Sequence, residues 1–274
     1  MTPTQSYAAK RTEAESLIRQ HAPARLQEQL IALLRPAIAL TATRADDADI
    51  PLGASKFGGA PDVPEGFEWP TWNGEPLGFL AQINLEEVAP FDVEGVLPRS
   101  GVLTFFYYFV DERQWPFGEA EDKDGYHVFH FASELGRVEV PKGSGGSAPI
   151  RTASISFEVV PDVPKHPYYV TGEQLSELSE EEREQWKAFE EALPQHPLHL
   201  MFGYPTTIQD DARLEAANTT GRGTLHDWHL LLQVDTDGEI DFMWGDAGAM
   251  FYLMHRDDLA KHDFAQTWLI AQCY

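Results

Sequence analysis

The chain has 274 residues, 43% of them hydrophobic, enough to bury a core in one large domain or two small ones. Lysine and arginine number 20 against 44 acidic residues, a net charge of −24, and such a field repels nucleic acid and anionic membrane surfaces while attracting cations or a basic partner. No apolar run is long enough to span a bilayer, the opening MTPTQSYAAKRTEAESLIRQ lacks a signal peptide's apolar stretch, and the one cysteine, Cys273, excludes an internal disulfide or a cysteine-based zinc finger, so a cytoplasmic setting is expected.

From Thr4 to Leu34 the pattern is helical, with Leu26, Leu30, Leu33 and Leu34 at helical spacing and Pro36 as the stop. Strands are expected at Ala37–Thr43, Leu77–Leu85, Gly101–Val110, Tyr126–Phe131 and Ile155–Val160, and again at Trp228–Thr236, Ala249–His255 and Thr267–Tyr274. Between these two sets, Ser179 and Glu182 form a capping-box pair ahead of a helix that ends at Pro194. Trp186, Phe189 and Leu193 share one face of it and acidic residues the other. PKGSGGSAP, from Pro141 to Pro149, is the one stretch with a flexible composition.

The early motifs recur later in the same order. FGGAP (Phe57–Pro61) is echoed by FGYP (Phe202–Pro205), FLAQINL by LLLQVDT so that Gln82 aligns with Gln233, and GVLTFFYY from Gly101 by GAMFYLMH from Gly248. The offsets are nearly constant, which predicts an internal duplication. The expected organisation is a helical arm over residues 1–36 and a single α+β, β-rich domain over 37–274, made of pseudo-repeats at about 37–140 and 150–274.

Glycines are concentrated in SKFGGAPDVPEGFEWP, but this is no phosphate loop: Lys56 precedes the glycines and Pro61, Pro64 and Pro70 block a following helix. The glycines are expected to allow a tight reversal, with Lys56 left over as a group that could face a ligand. GSGGSA (Gly143–Ala148) is followed by Pro149 and a strand instead of a Rossmann helix, and it lacks the second glycine of a nucleophile elbow. His127/His130, His196/His199 and His226/His229 are each three apart. The first and third pairs are assigned to strands, where that spacing points to opposite faces. DTDGEID (Asp235–Asp241) fails as a calcium loop at both ends and reads as a turn at Asp237-Gly238. Neither a metal nor a cofactor is expected. Gln82, Asn84, Gln233 and Asp235 are polar groups in apolar strands. They either complete a buried hydrogen-bond network or face a cleft walled by Trp244 of WGDAG.

SKFGGAPDVPEGFEWP, PLGFLAQINL, LPRSGVLTFFY, FGYPTTIQDD, LLLQVDTD, WGDAGAMFYLM and FAQTWLIAQCY together resemble the YwqG-like family, a bacterial domain of unknown function. The resemblance covers about Ala37 to Tyr274 and implies an α+β fold built by duplication, without an established activity. Its family-like positions include Lys56, Gly58, Gly59, Gln82, Gln209, Gln233, Asp235, Trp244, Asp246 and Gln272. The leading expectation is a non-enzymatic binding module for a basic protein or small molecule, with Lys56, Gln82, Asn84, Gln209, Gln233 and Trp244 as ligand contacts. The alternative is a hydrolase or transferase using Asp246, Asp235 and His226 for acid–base work in a cleft between the halves.

Overall fold

The computed structural model describes residues 2–110, 115–144, 150–165, 168–172, 175–195 and 197–274. The GGSAP segment at 145–149 and His196, both weighed above, lie outside the described residues.

Thr2 caps helix α1 (Pro3–His21) by a reciprocal exchange with Gln5. The expected single helix to Leu34 is in fact broken. Pro23 pushes Ala22 out of the helical region to φ −73, ψ 152, a tight turn follows, and the helix resumes as α2 (Gln27–Leu33). Strand β1 (Arg35–Arg44) starts earlier than expected and includes Pro36, which faces Pro161 across the ladder. Neither proline needs an N–H there, because alternate facing pairs of an antiparallel ladder exchange no hydrogen bonds.

The remaining strands are β2 (Lys56–Phe57), β3 (Asp62–Val63), β4 (Thr71–Trp72), β5 (Glu75–Pro76), β6 (Gly78–Asn84), β7 (Val102–Tyr107), β8 (Tyr126–Phe131) and β9 (Gly136–Arg137). They continue with β10 (Ala153–Asp162), β11 (His199–Phe202), β12 (Trp228–Asp235), β13 (Ala249–His255) and β14 (Trp268–Gln272). Helices α3 (Leu85–Val88), α4 (Tyr168–Thr171), α5 (Glu180–Ala192), α6 (Ala212–Thr220) and α7 (Arg256–Leu259) lie between them. One antiparallel sheet takes ten strands in the order β14-β13-β12-β11-β1-β10-β2-β6-β7-β8, and β3–β9 and β4–β5 form two-stranded ribbons.

The sheet order reads alike from either edge. The central β1–β10 ladder carries a short strand on each side, β11 or β2, then three longer ones. Phe202 faces Ala37 and Phe57 faces Ala153, while Ala37 and Ala153 stand opposite Val160 and Arg44 near the two ends of the central ladder. The outer wings curl toward each other, bringing Phe105 of β7 within 5.1 Å of Tyr252 of β13 and Tyr107 within 5.1 Å of Trp244 (ring centroids). Alternation then assigns the faces: Met250, Tyr252 and Met254 point into this closed core, whereas Phe251 and Leu253 pack outward under Ala212 and Ala216 of α6.

The N-terminal helices are docked. Ile18, Leu26 and Leu30 share a buried cluster with Trp186 and Phe189 of α5, and α5 carries the Ser179–Glu182 capping box read from the sequence. His226 corrects another reading: it sits in a short 3-10 turn (Leu225–Asp227) before β12, not on a strand.

Candidate functional site: two cavities meeting at Lys165

The polar strand residues bind the protein's own loops. Gln82 is fully buried; its Oε1 accepts from the Asp62 N–H at 2.9 Å and its Nε2 donates to the Ala54 carbonyl at 2.7 Å. Gln233 does the same for the other wing, accepting from the Thr206 N–H at 2.9 Å and donating to the Leu198 carbonyl at 3.1 Å. Gln272, also buried, holds the next stretch of that loop through Ile208 N–H, Gln209 N–H and the Asp210 carbonyl. Asn84 caps α3 and donates to the Gly53 carbonyl. Gln233→Leu takes the side-chain partner from two backbone groups at once, and a loss of about 2–4 kcal/mol is expected in chemical denaturation.

Lys56 is also spent on the fold. Its ammonium, fully buried, donates to Asp47 Oδ1 at 2.7 Å and to the Ala60 carbonyl at 2.5 Å. Burial pushes it below the usual lysine range, against the pull of Asp47 and Asp62. Arg137 completes the network, donating from Nε to Asp62 Oδ1 at 2.9 Å and reaching the Asp47 and Ile50 carbonyls.

The acid–base candidates are not brought together as a trio. His226 is exposed before the start of β12 and Asp235 ends that 8-residue strand, on the order of 25 Å away. Asp235 accepts from the Thr236 N–H, and Asp246 is exposed in the turn after Trp244. Trp244 belongs to the closed aromatic core with Phe109, Phe242 and Trp115. Sequence reasoning missed the pair made by buried His199 and half-buried Asp237, joined at 3.0 Å. Its imidazole Nδ1 accepts from the Asp235 N–H, so the ring ties β11 to the turn after β12. Among the described residues no group of three or more His, Cys, Asp or Glu could hold a metal ion, and no helix is long and apolar enough to cross a membrane.

Open space lies elsewhere. On α1, Lys10, Ala14, Leu17 and Ile18 recur on one face, and this face lies over β1 and β10 beside Leu193 and Pro194. Ala14 and Ala39 put small side chains where the helix and sheet approach, and a cavity of about 420 Å³ remains between them. Its floor is apolar (Leu34, Val160, Val163), and its rim carries Glu13 and the Lys10–Glu158 ion pair at 2.5 Å.

A second cavity of about 660 Å³ lies between the segment around Lys165 and the stretch from Tyr204 to Leu214 that runs into the first turn of α6, and Gln209 lines it. Its wall is polar. Arg213 is buried and binds Asp211 with two hydrogen bonds, 3.0 and 2.6 Å, while the Arg213 and Arg35 guanidiniums lie 5.1 and 3.6 Å from the centre of the Tyr204 ring. Burial pushes the Tyr169 hydroxyl up to about 12. Of the expected ligand contacts, Gln209 alone lines either of these two cavities; Lys56, Gln82, Asn84, Gln233 and Trp244 line neither.

Lys165 borders both cavities. Burial pushes its ammonium below the usual lysine range, and the nearby charges of Asp162 and Glu190 offset this only in part. It makes no ion pair among the described residues. The sequence signal for this site is weak: a lysine in the proline-flanked PKHP, and alanines on otherwise apolar faces.

The family model for a domain of unknown function, DUF1963, matches residues 55–273. The chain therefore belongs to this family, of which the YwqG-like proteins are the known group. None of the curated proteins matches it. Helix α1, Leu34 and strand β1, which supply much of the smaller cavity's wall, lie outside the matched segment.

Proposed function

We propose that this DUF1963 protein is a small-ligand-binding protein whose ligand lodges its apolar body in the cavity beneath α1. The observation that carries the reading is the cavity itself: about 420 Å³ with mostly apolar walls and a few charged groups at the edge. Such concave, mostly apolar spaces of about 300–1,000 Å³ are where proteins hold small molecules. The glutamine clamps and the Lys56 network support it indirectly, because they fix the sheet against which the cavity is built.

The test is binding of a neutral solvatochromic dye, read by its fluorescence. Ala14→Phe places a ring in the cavity from the α1 side, and dye affinity is expected to fall at least about tenfold, the cost of losing a well-filled apolar contact. An unchanged melting temperature would show that the helix still docks. Equal dye binding by the native protein and a folded Ala14→Phe variant would sink the reading.

A further inference from the structure

Resting on that reading, we propose that the ligand is an amphipathic monocarboxylate, with its hydrocarbon part beneath α1 and its carboxylate on the Lys165 ammonium. The charged groups around the smaller cavity are not equivalent. Lys10 is held by Glu158 at 2.5 Å. Asp162 is buried and its Oδ2 accepts from the Tyr204 N–H at 2.6 Å. Lys165 is the cation of this wall with no ion-pair partner among the described residues, and it stands where the apolar cavity gives way to the polar one. A partly buried ammonium without a partner lacks solvation that a carboxylate would restore.

The same geometry selects against other heads. An alkylamine would set a second cation beside Lys165. A dianionic phosphate would bring a second negative charge toward Asp210, which lines the polar cavity beside the Asp211–Arg213 pair, so a single negative charge fits better. The protein's net charge of −24 opposes any anion at long range, but salt screens that field far more than a contact made inside a cavity.

The experiment displaces the neutral dye from the full-length protein with decanoate, decanol, decylamine and decyl phosphate, each below its micelle concentration at neutral pH. Decanoate is expected to act at about tenfold or more lower concentration than decanol, as a charge-assisted bond allows, and ahead of decylamine and decyl phosphate. Lys165→Met should erase the preference for decanoate over decanol, read as the ratio of their displacement constants so that any change in dye affinity cancels, and Lys165→Arg should keep it. Equal displacement by decanoate and decanol, or a preference that survives Lys165→Met, overturns the inference while the pocket stands. Failure of the native protein to bind the dye overturns the pocket reading and this inference with it.

Discussion

Replacing Asp62 with alanine will destabilise the protein by about 3–5 kcal/mol, the usual cost of removing one partner of a buried ion pair. Asp62 is fully buried, and its carboxylate accepts from the Gly53 N–H at 2.8 Å, from Gln82 Nε2 at 2.8 Å and from Arg137 Nε at 2.9 Å. The variant leaves the Arg137 guanidinium with backbone carbonyls and the more distant Asp47 carboxylate at 3.6 Å, and that one carboxylate must then serve the buried Lys56 ammonium as well. Asp62→Asn keeps the shape and an acceptor for Gly53 and should cost less than alanine. Burial alone would push the Asp62 carboxyl up, but Arg137, Gln82, the Gly53 amide and the Lys56 charge outweigh it and hold it below the usual range. The sign follows from that depression. The contribution is complete above the unfolded value near pH 4 and is lost as the pH falls through the lower folded value. Denaturant titrations read by tryptophan fluorescence should show the native protein weakening over that acid range and the alanine variant changing less. A loss under about 1 kcal/mol for Asp62→Ala would mean that the network is not the anchor of this wing.

What could be read from the sequence depended on whether the signal was local. Strands such as Tyr126–Phe131 and Ala249–His255 announce themselves by aromatic and β-branched runs, and they stand at those bounds. Helix α6 carried equally local marks, Asp211 as its cap and Gly221 at φ 65 as its end, yet it went unread because its buried face is Ala212, Ala216 and Ala217, too small to give an apolar period. The break at Pro23 was also present in the residues and was overridden by the leucine spacing beyond it. Two-residue β2 has no pattern to read; its place depends on β10 and β6, far along the chain. The site was the least legible. Lys56 stood out correctly as a lysine that turn geometry does not explain, but its partner Asp47 lies in a separate turn and is shared with Arg137 from far along the chain. The cavity exists because alanines on α1 and β1 face each other after the chain has folded, and no spacing rule reports that.

Gly58→Ala tests the meaning of the repeated glycine motif and is expected to cost more than about 3 kcal/mol. Gly58 has φ +56, and a Cβ there would sit 2.4 Å from the Ile150 carbonyl oxygen and 2.7 Å from that of Arg151. Both atoms are backbone, and Arg151 N–H is itself bonded to the Ile240 carbonyl, so the obstacle cannot rotate away. The left-handed backbone alone costs a non-glycine residue about 1–2 kcal/mol, and the overlap adds to it. Gly203, in the echo of the motif, has φ +66 and would place a Cβ 2.5 Å from Asp162 Oδ2 and 2.6 Å from Ala37 Cβ. Asp162 can yield only by giving up its bond to the Tyr204 N–H, and the Ala37 Cβ is fixed to the backbone of β1, so Gly203→Ala should cost about as much as Gly58→Ala. Gly66 supplies the control: φ is +78 but nothing stands within 4 Å of the added carbon, and Gly66→Ala should lose only the conformational share of about 1–2 kcal/mol. If all three variants melt together, backbone conformation alone explains the glycines and the close approach of β2 to the start of β10 carries no weight. If Gly58→Ala falls well below Gly66→Ala in stability, the glycine is required because the chain entering β10 passes where its side chain would be.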